Sequence, residues 1–166
     1  MQQHQTRISP PYDDDFYAWT QHQARLLRAV KGSAADLPSG IDLDHLAEEI
    51  EDLGKAELRG VTSLIRQIMV HLIKAASETG SRARGHRRAE ATAFQTDVPG
   101  YYAPSMRQLI DMDAIWRKAL KVAGTSLEEQ GVALAADIPS SCPYSIDDLL
   151  SDDFDFDKAL KKITGK

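Results

Sequence analysis

The 166-residue chain contains a single cysteine, Cys142. One thiol excludes an internal disulfide and the usual zinc knuckle. No apolar run approaches the roughly 18 residues that a membrane-spanning helix needs. The opening MQQHQTRISPP lacks the apolar core of a secretory signal. Period-2 alternation is missing, which argues against a sheet. GxGxxG, a P-loop lysine motif and GxSxG are absent. So are HExxH, HxxxH and ExxH, which removes the zincin and di-iron bundle signatures. There is no internal repeat. What remains is 42% hydrophobic and 27% charged, enough to fill a core and stay in solution, unlike a disordered tail or a fibrous repeat. A soluble cytoplasmic protein is expected, with residues 1–11 a disordered or extended tail and 12–166 one helical domain.

Charge is unevenly placed. Residues 1–58 carry 5 bases and 11 acids, residues 59–121 carry 11 bases and 5 acids, and residues 122–166 carry 4 bases and 9 acids. An acidic head and an acidic tail therefore flank a basic middle. Either the acidic helices lie beside basic ones and neutralise them, or the middle faces an anionic partner.

The apolar pattern reads as helix after helix. The first spans about 13–31, with Asp13 as cap, Tyr12 and Tyr17 as hydrophobic staple, and Phe16, Trp19, Leu26, Leu27 and Val30 on one stripe ended by Gly32. Phe16 and Trp19 are expected to dock it onto the second helix. That helix is the spine, about 42–76, capped by Asp42 and stapled by Ile41 and Leu46. Its stripe is Leu43, Leu46, Ile50, Leu53, Val61, Leu64, Ile68 and Leu72. Gly54 and Gly60 lie inside it, where they permit a bend or a close helix crossing. A basic helix over 84–97 follows, then one over 105–123 from a Ser105/Gln108 capping box to Gly124. Another is expected over 126–137 from Ser126/Glu129, and short helices at 145–151 and 155–163 finish the chain. The fold class expected is all-α, a helical bundle built around one long central helix.

Four segments together resemble a bacterial family known as domain of unknown function 29: YDDDFYAWTQHQARLLR at 12–28, LAEEIEDLGKAELR at 46–59, HLIK at 71–74 and CPYSIDDLL at 142–150. PSMRQLI at 104–110 also fits, so the resemblance extends over about 12–154. It departs at 77–103, and at Ala75, where many members would show tryptophan. The resemblance implies an all-helical, cytoplasmic bacterial protein and implies no activity.

Several residues could carry chemistry. Glu48, Glu51 and Asp52 lie about 200°, 140° and 240° round the spine from Leu46, at 100° per residue. Carboxylates so spaced can hold magnesium when a second acidic pair faces them, but Asp111 and Asp113 are two apart and point to different faces. The competing reading is a solvated face with Glu51 and Lys55 paired. Glu57 lies about 20° from Leu46, inside the apolar stripe. A bare carboxylate there would be costly, so a buried pair with Arg25, Arg28 or Arg84 is expected. His71 falls about 20° to the other side. It reads as a core-edge histidine, since no metal-ligating residue sits at i±3 or i±4. The run Arg82, Arg84, His86, Arg87 and Arg88 is the candidate anion-binding segment, because arginine forks suit phosphates. Its rival is a basic surface paired with acids, and the segment has no interleaved aromatics. Cys142 lies in a turn before proline and reads as a packed small hydrophobe.

No cofactor, metal or catalytic residue is indicated. The expected function is a non-enzymatic interaction or regulatory module acting on an unidentified protein partner. The alternatives are a nucleic-acid or polyanion binder using 82–88, and a metal-dependent hydrolase using the acids of the spine. No membrane association is expected, and the sequence does not set the oligomeric state.

Overall fold

A computed structural model describes residues 10–30, 37–38 and 40–165. Most of the expected N-terminal tail, Gly32 and most of the following loop lie outside the described residues. Among those described, the regular elements are all helices: α1 (Phe16–Val30), α2 (Leu43–Ser77), α3 (Ser81–Asp97), α4 (Met112–Glu129), α5 (Ile146–Leu150) and α6 (Phe156–Thr164). Two 3₁₀ turns, Val98–Gly100 and Pro104–Leu109, lie between α3 and α4. No helix among these residues is long and apolar enough to cross a membrane. α2 is the expected spine, 35 residues or about 50 Å long. The chain divides into two compact units, Met1–Arg59 with Ala103–Arg107, and Gly60–Tyr102 with Gln108–Lys166.

In the first unit α1 and the first half of α2 form a helical hairpin. Asp15, not Asp13, caps α1, accepting from Ala18 N at 2.8 Å. Its carboxylate also accepts from Ser105 N at 2.9 Å and Ser105 Oγ at 2.7 Å. Ser105 is therefore no helix cap, which corrects the helix expected to begin there. Asp42 caps α2 as expected, through His45 N at 3.2 Å.

The docking face of α1 is not the aromatic and leucine stripe. Thr20 and Ala24 are the buried residues of α1, and Gly54 meets Thr20 from α2, with Ala47 buried seven residues before it. A Cβ on Gly54 would lie 2.1 Å from Thr20 Oγ1, so glycine is what allows this crossing. Gly60 has nothing within 4 Å of the same added atom and serves no crossing. Phe16 and Trp19 are half-buried and stack on each other, with Tyr12 edge-on to both.

The second unit carries the larger core. Val61, Ile65, Ile68, Met69, Leu72 and Ile73 of α2 are buried, as are Ile115, Trp116, Ala119, Ala123 and Leu127 of α4. Leu64 is only half-buried. α4 starts at Asp111, whose side chain accepts from Ala114 N at 2.9 Å. It runs through Gly124 and ends at Gly131, whose φ of 69° suits the left-handed position after a helix. Gly131 N to Glu128 O and Val132 N to Leu127 O close it at 2.9 Å each, as in a Schellman motif. The helix expected over 126–137 is therefore the end of α4, and Ser126 inside it accepts from Lys74 Nζ at 2.7 Å. α5 and α6 form as expected, capped by Ser145 and Asp155. Trp116 donates from Nε1 to Pro139 O at 2.9 Å and packs edge-on against Tyr144, whose hydroxyl donates to Ala159 O at 2.9 Å. The CPY segment is thus a packing motif.

Candidate functional site

The basic run splits over different sides of α3. Arg87 turns inward and forks onto Glu78, with Nε to Oε2 at 3.1 Å and an Nη to Oε1 at 2.7 Å. The two side chains are only 13% and 8% exposed, a bidentate pair that few waters reach. Arg88 holds Asp157 and lies over the Phe156 ring at 5.8 Å. His86 is exposed, with Nε2 3.5 Å from Glu90 Oε2. Arg82 and Arg84 are exposed. Of the five residues, two guanidiniums are engaged by acids, which is the neutralised-surface arrangement.

The acids of α2 separate likewise. Glu51 holds Arg28 and also Lys55 at 2.9 Å, and Asp52 holds Lys55 at 3.0 Å. These bases keep the Glu51 carboxyl below the ordinary glutamate range. Glu48 is exposed. Among the described residues, no group of three or more His, Cys, Asp or Glu side chains could hold a metal.

Glu57 is half-buried, and among the described residues no arginine pairs with it. This corrects the expected buried pair. The buried side of α2 runs through Ala47, Gly54, Val61 and Ile68, about 100° round from the Leu46–Leu53 line. Glu57 stands beside exposed leucines and reaches water.

His71 is buried as expected, 8% exposed, stacked on Phe94 at 5.7 Å. Its Nδ1 lies 3.0 Å from Glu90 Oε2 yet makes no hydrogen bond. The approach is close but misaligned, so it is a contact between polar atoms, and becomes an ion pair only if the imidazole is protonated. Burial holds the imidazole's pKa below the ordinary histidine value. Glu90 opposes that shift, while Arg87, Lys74 and His86 reinforce it. Cys142 is half-buried, its Sγ 3.5 Å from Tyr144 O, and burial pushes the thiol pKa up, as for an inert packed cysteine.

The feature that sequence reading missed is an apolar face on the α1/α2 hairpin. Leu26 (45%), Val30 (41%), Leu46 (46%) and Leu53 (55%) are all exposed. On α2 the leucines are turned about 80–100° away from Gly54 and Ala47. Val30 is turned about 100° and Leu26 about 140° away from the Thr20–Ala24 line, in the same rotational sense along α1. In an antiparallel pair, equal senses bring both sets to one side. Arg28 and Glu51, turned the other way on both helices, meet on the opposite side and confirm the construction. The available signal was the seven-residue recurrence of Ala47, Gly54, Val61, Ile68 and Ala75, which marks the true packing line.

A family described as Domain of unknown function DUF29 matches residues 11–155. The crystal structure of an alpha-helical protein of unknown function from Rhodospirillum rubrum superposes with a TM-score of 0.87 at 39% identity, covering 92% of this chain and 97% of that one. No curated protein matches the chain. With most of its length matched, from the α1 segment to the turn before α6, the chain belongs to the DUF29 family.

Proposed function

We propose that this protein is a non-enzymatic interaction module, acting in the cytoplasm, whose docking surface is the apolar face of the α1/α2 hairpin. The observation that carries this reading is four large aliphatic side chains exposed on one side of two packed helices. Scattered apolar residues on a surface need no explanation, but four turned to one side of a two-helix hairpin point to an interaction site. The face coexists with a complete packing line of Thr20, Ala24, Ala47 and Gly54, so the leucines are not needed to hold the hairpin.

The polyanion reading is weaker, because Arg87 and Arg88 already hold Glu78 and Asp157. The hydrolase reading is weaker still, because Glu51 and Asp52 hold bases. The test is affinity capture with the full chain from extract of its own cells, treated or untreated with nuclease. The expected result is a protein partner that is nuclease-resistant, lost on Leu53→Ser and kept on Arg82→Ala/Arg84→Ala. Capture that depends on the two arginines and disappears with nuclease overturns the proposal in favour of nucleic acid.

A further inference from the structure

We infer that the occupant of the hairpin face is a basic amphipathic helix of another protein. This rests on the reading of that face as a docking surface and adds the chemistry of what docks. Leu46 and Leu53 are two turns apart on α2, about 10 Å, the spacing at which a helix laid in a groove presents its i and i+7 anchors. Val30 and, further out, Leu26 are exposed on the same side of the hairpin from α1.

Charge selects the partner. Glu49 and Glu57 lie within about 40° of Leu53 round α2. Glu49 is exposed and Glu57 half-buried, and no base pairs with either among the described residues. The other acids of this stretch are turned away or paired: Glu51 with Arg28 and Lys55, Asp52 with Lys55. Arg25 lies about 100° from Leu26 round α1, off the face. The apolar strip is therefore bordered by uncompensated carboxylates. A second copy of the chain would bring the same carboxylates to the interface, and an anionic membrane would bring phosphates; both are disfavoured by like charge. A helix with lysines or arginines beside its leucine stripe satisfies both the apolar and the electrostatic demand.

The experiment uses the full chain and three labelled synthetic peptides: a leucine-striped helix flanked by lysine and arginine, the same stripe flanked by glutamate, and a scrambled basic control. Fluorescence anisotropy is expected to show the basic striped peptide binding at least about tenfold tighter than the other two, less so at higher salt. Leu26→Ser/Leu53→Ser should weaken it about tenfold or more. Glu49→Gln/Glu57→Gln should weaken it several-fold and flatten the salt dependence, while Asp152→Asn/Asp153→Asn should leave it unchanged. Circular dichroism verifies that each variant keeps its helices. Leucine-dependent binding of the acidic peptide as tight as that of the basic one overturns the inference and leaves the docking face standing. Binding of the basic peptide that ignores the leucines overturns both. Absence of binding by every peptide overturns the inference. So does a dimer in sedimentation that Leu53→Ser dissociates, or leucine-dependent binding to phosphatidylserine vesicles.

Discussion

The Thr20 hydroxyl oxygen stands 2.1 Å from where a Cβ on Gly54 would be, so the α1/α2 crossing is closed to any side chain at position 54. Thr20 is fully buried and its hydroxyl donates to Tyr17 O at 2.7 Å, which holds the oxygen in place. Gly54→Ala gains up to about 1 kcal/mol of helix propensity. The overpacking it forces costs about 1–3 kcal/mol or more, because neither helix backbone can give way cheaply. A net loss of stability is expected, read as a lower urea midpoint by far-ultraviolet circular dichroism. Thr20→Ala in the same chain removes the colliding oxygen and should recover part of it. Gly60→Ala, with open space around the new methyl, should be neutral or stabilising. Equal effects at the two glycines would refute the crossing.

The helices were legible in the sequence, and the face that packs was less so. Capping residues and the apolar pattern located α2, α5 and α6 closely, because caps and breakers act within one turn. The resemblance to the family was carried by residues that the structure places in packing and capping roles, Asp15, Tyr144 and Ser145 among them. In the hairpin the large aliphatics point to the wrong packing face, whereas further along α2 Val61, Ile68 and Leu72 of the same stripe are buried. Close helix approach instead favours Gly, Ala and Thr, and leaves leucines outside. The end of α4 was missed because Gly124 resembles a terminator and Ser126/Glu129 a new start. The later Gly131 terminates the helix through a left-handed conformation. The partner of Arg87, nine positions away across the α2–α3 turn, has no local signature at all.

Glu78 and Arg87 should be far more sensitive than the neighbouring surface pair. Both are largely sequestered from water, so removing one partner strands the other. Arg87→Met or Glu78→Leu should each cost about 2–4 kcal/mol. The double variant Glu78→Leu/Arg87→Met should recover much of that loss, since two apolar groups replace two matched charges. By contrast Arg88 and Asp157 are about half-exposed, and Arg88→Gln should cost no more than about 1 kcal/mol. Urea midpoints for the two series check this; indistinguishable losses at Arg87 and Arg88 would show that the inner pair is solvated.

Tyr144 and Cys142 should behave as packing residues. Tyr144→Phe leaves the Ala159 carbonyl without its 2.9 Å donor and should cost about 1–2 kcal/mol, with the helix content unchanged. Native Cys142 should react slowly with an aromatic disulfide reagent, and much faster in denaturant, because burial raises its thiol pKa and limits access. Rapid native labelling would mean that the turn opens readily and that the 142–144 segment is not part of a fixed core.

Stability should fall as the solution is acidified from neutral pH, and His71 should account for part of that fall. Its imidazole is buried between α2 and α3, and burial lowers its pKa against the opposing pull of Glu90. A histidine whose folded pKa lies below its unfolded value binds fewer protons folded than unfolded. Its neutral form is therefore fully compatible with the fold above about pH 6.5, and stability is lost as pH drops from there toward the lowered value. One proton sets a ceiling of about 1.4 kcal/mol per pH unit on that slope. Exposed His45 works in the opposite direction, since Asp42 raises its pKa. The depressed carboxyls of Glu51 and Asp148 lose their contribution only at lower pH, near and below about 4. Between pH 7.5 and 5 the comparison is thus between the two histidines. Urea midpoints of the unaltered chain should decline across this window. His71→Gln should flatten the decline, and His45→Gln should steepen it slightly. A His71→Gln curve running parallel to that of the unaltered chain would show that His71 takes up its proton without disturbing the fold, with Glu90 swinging the 3.0 Å contact into a true ion pair.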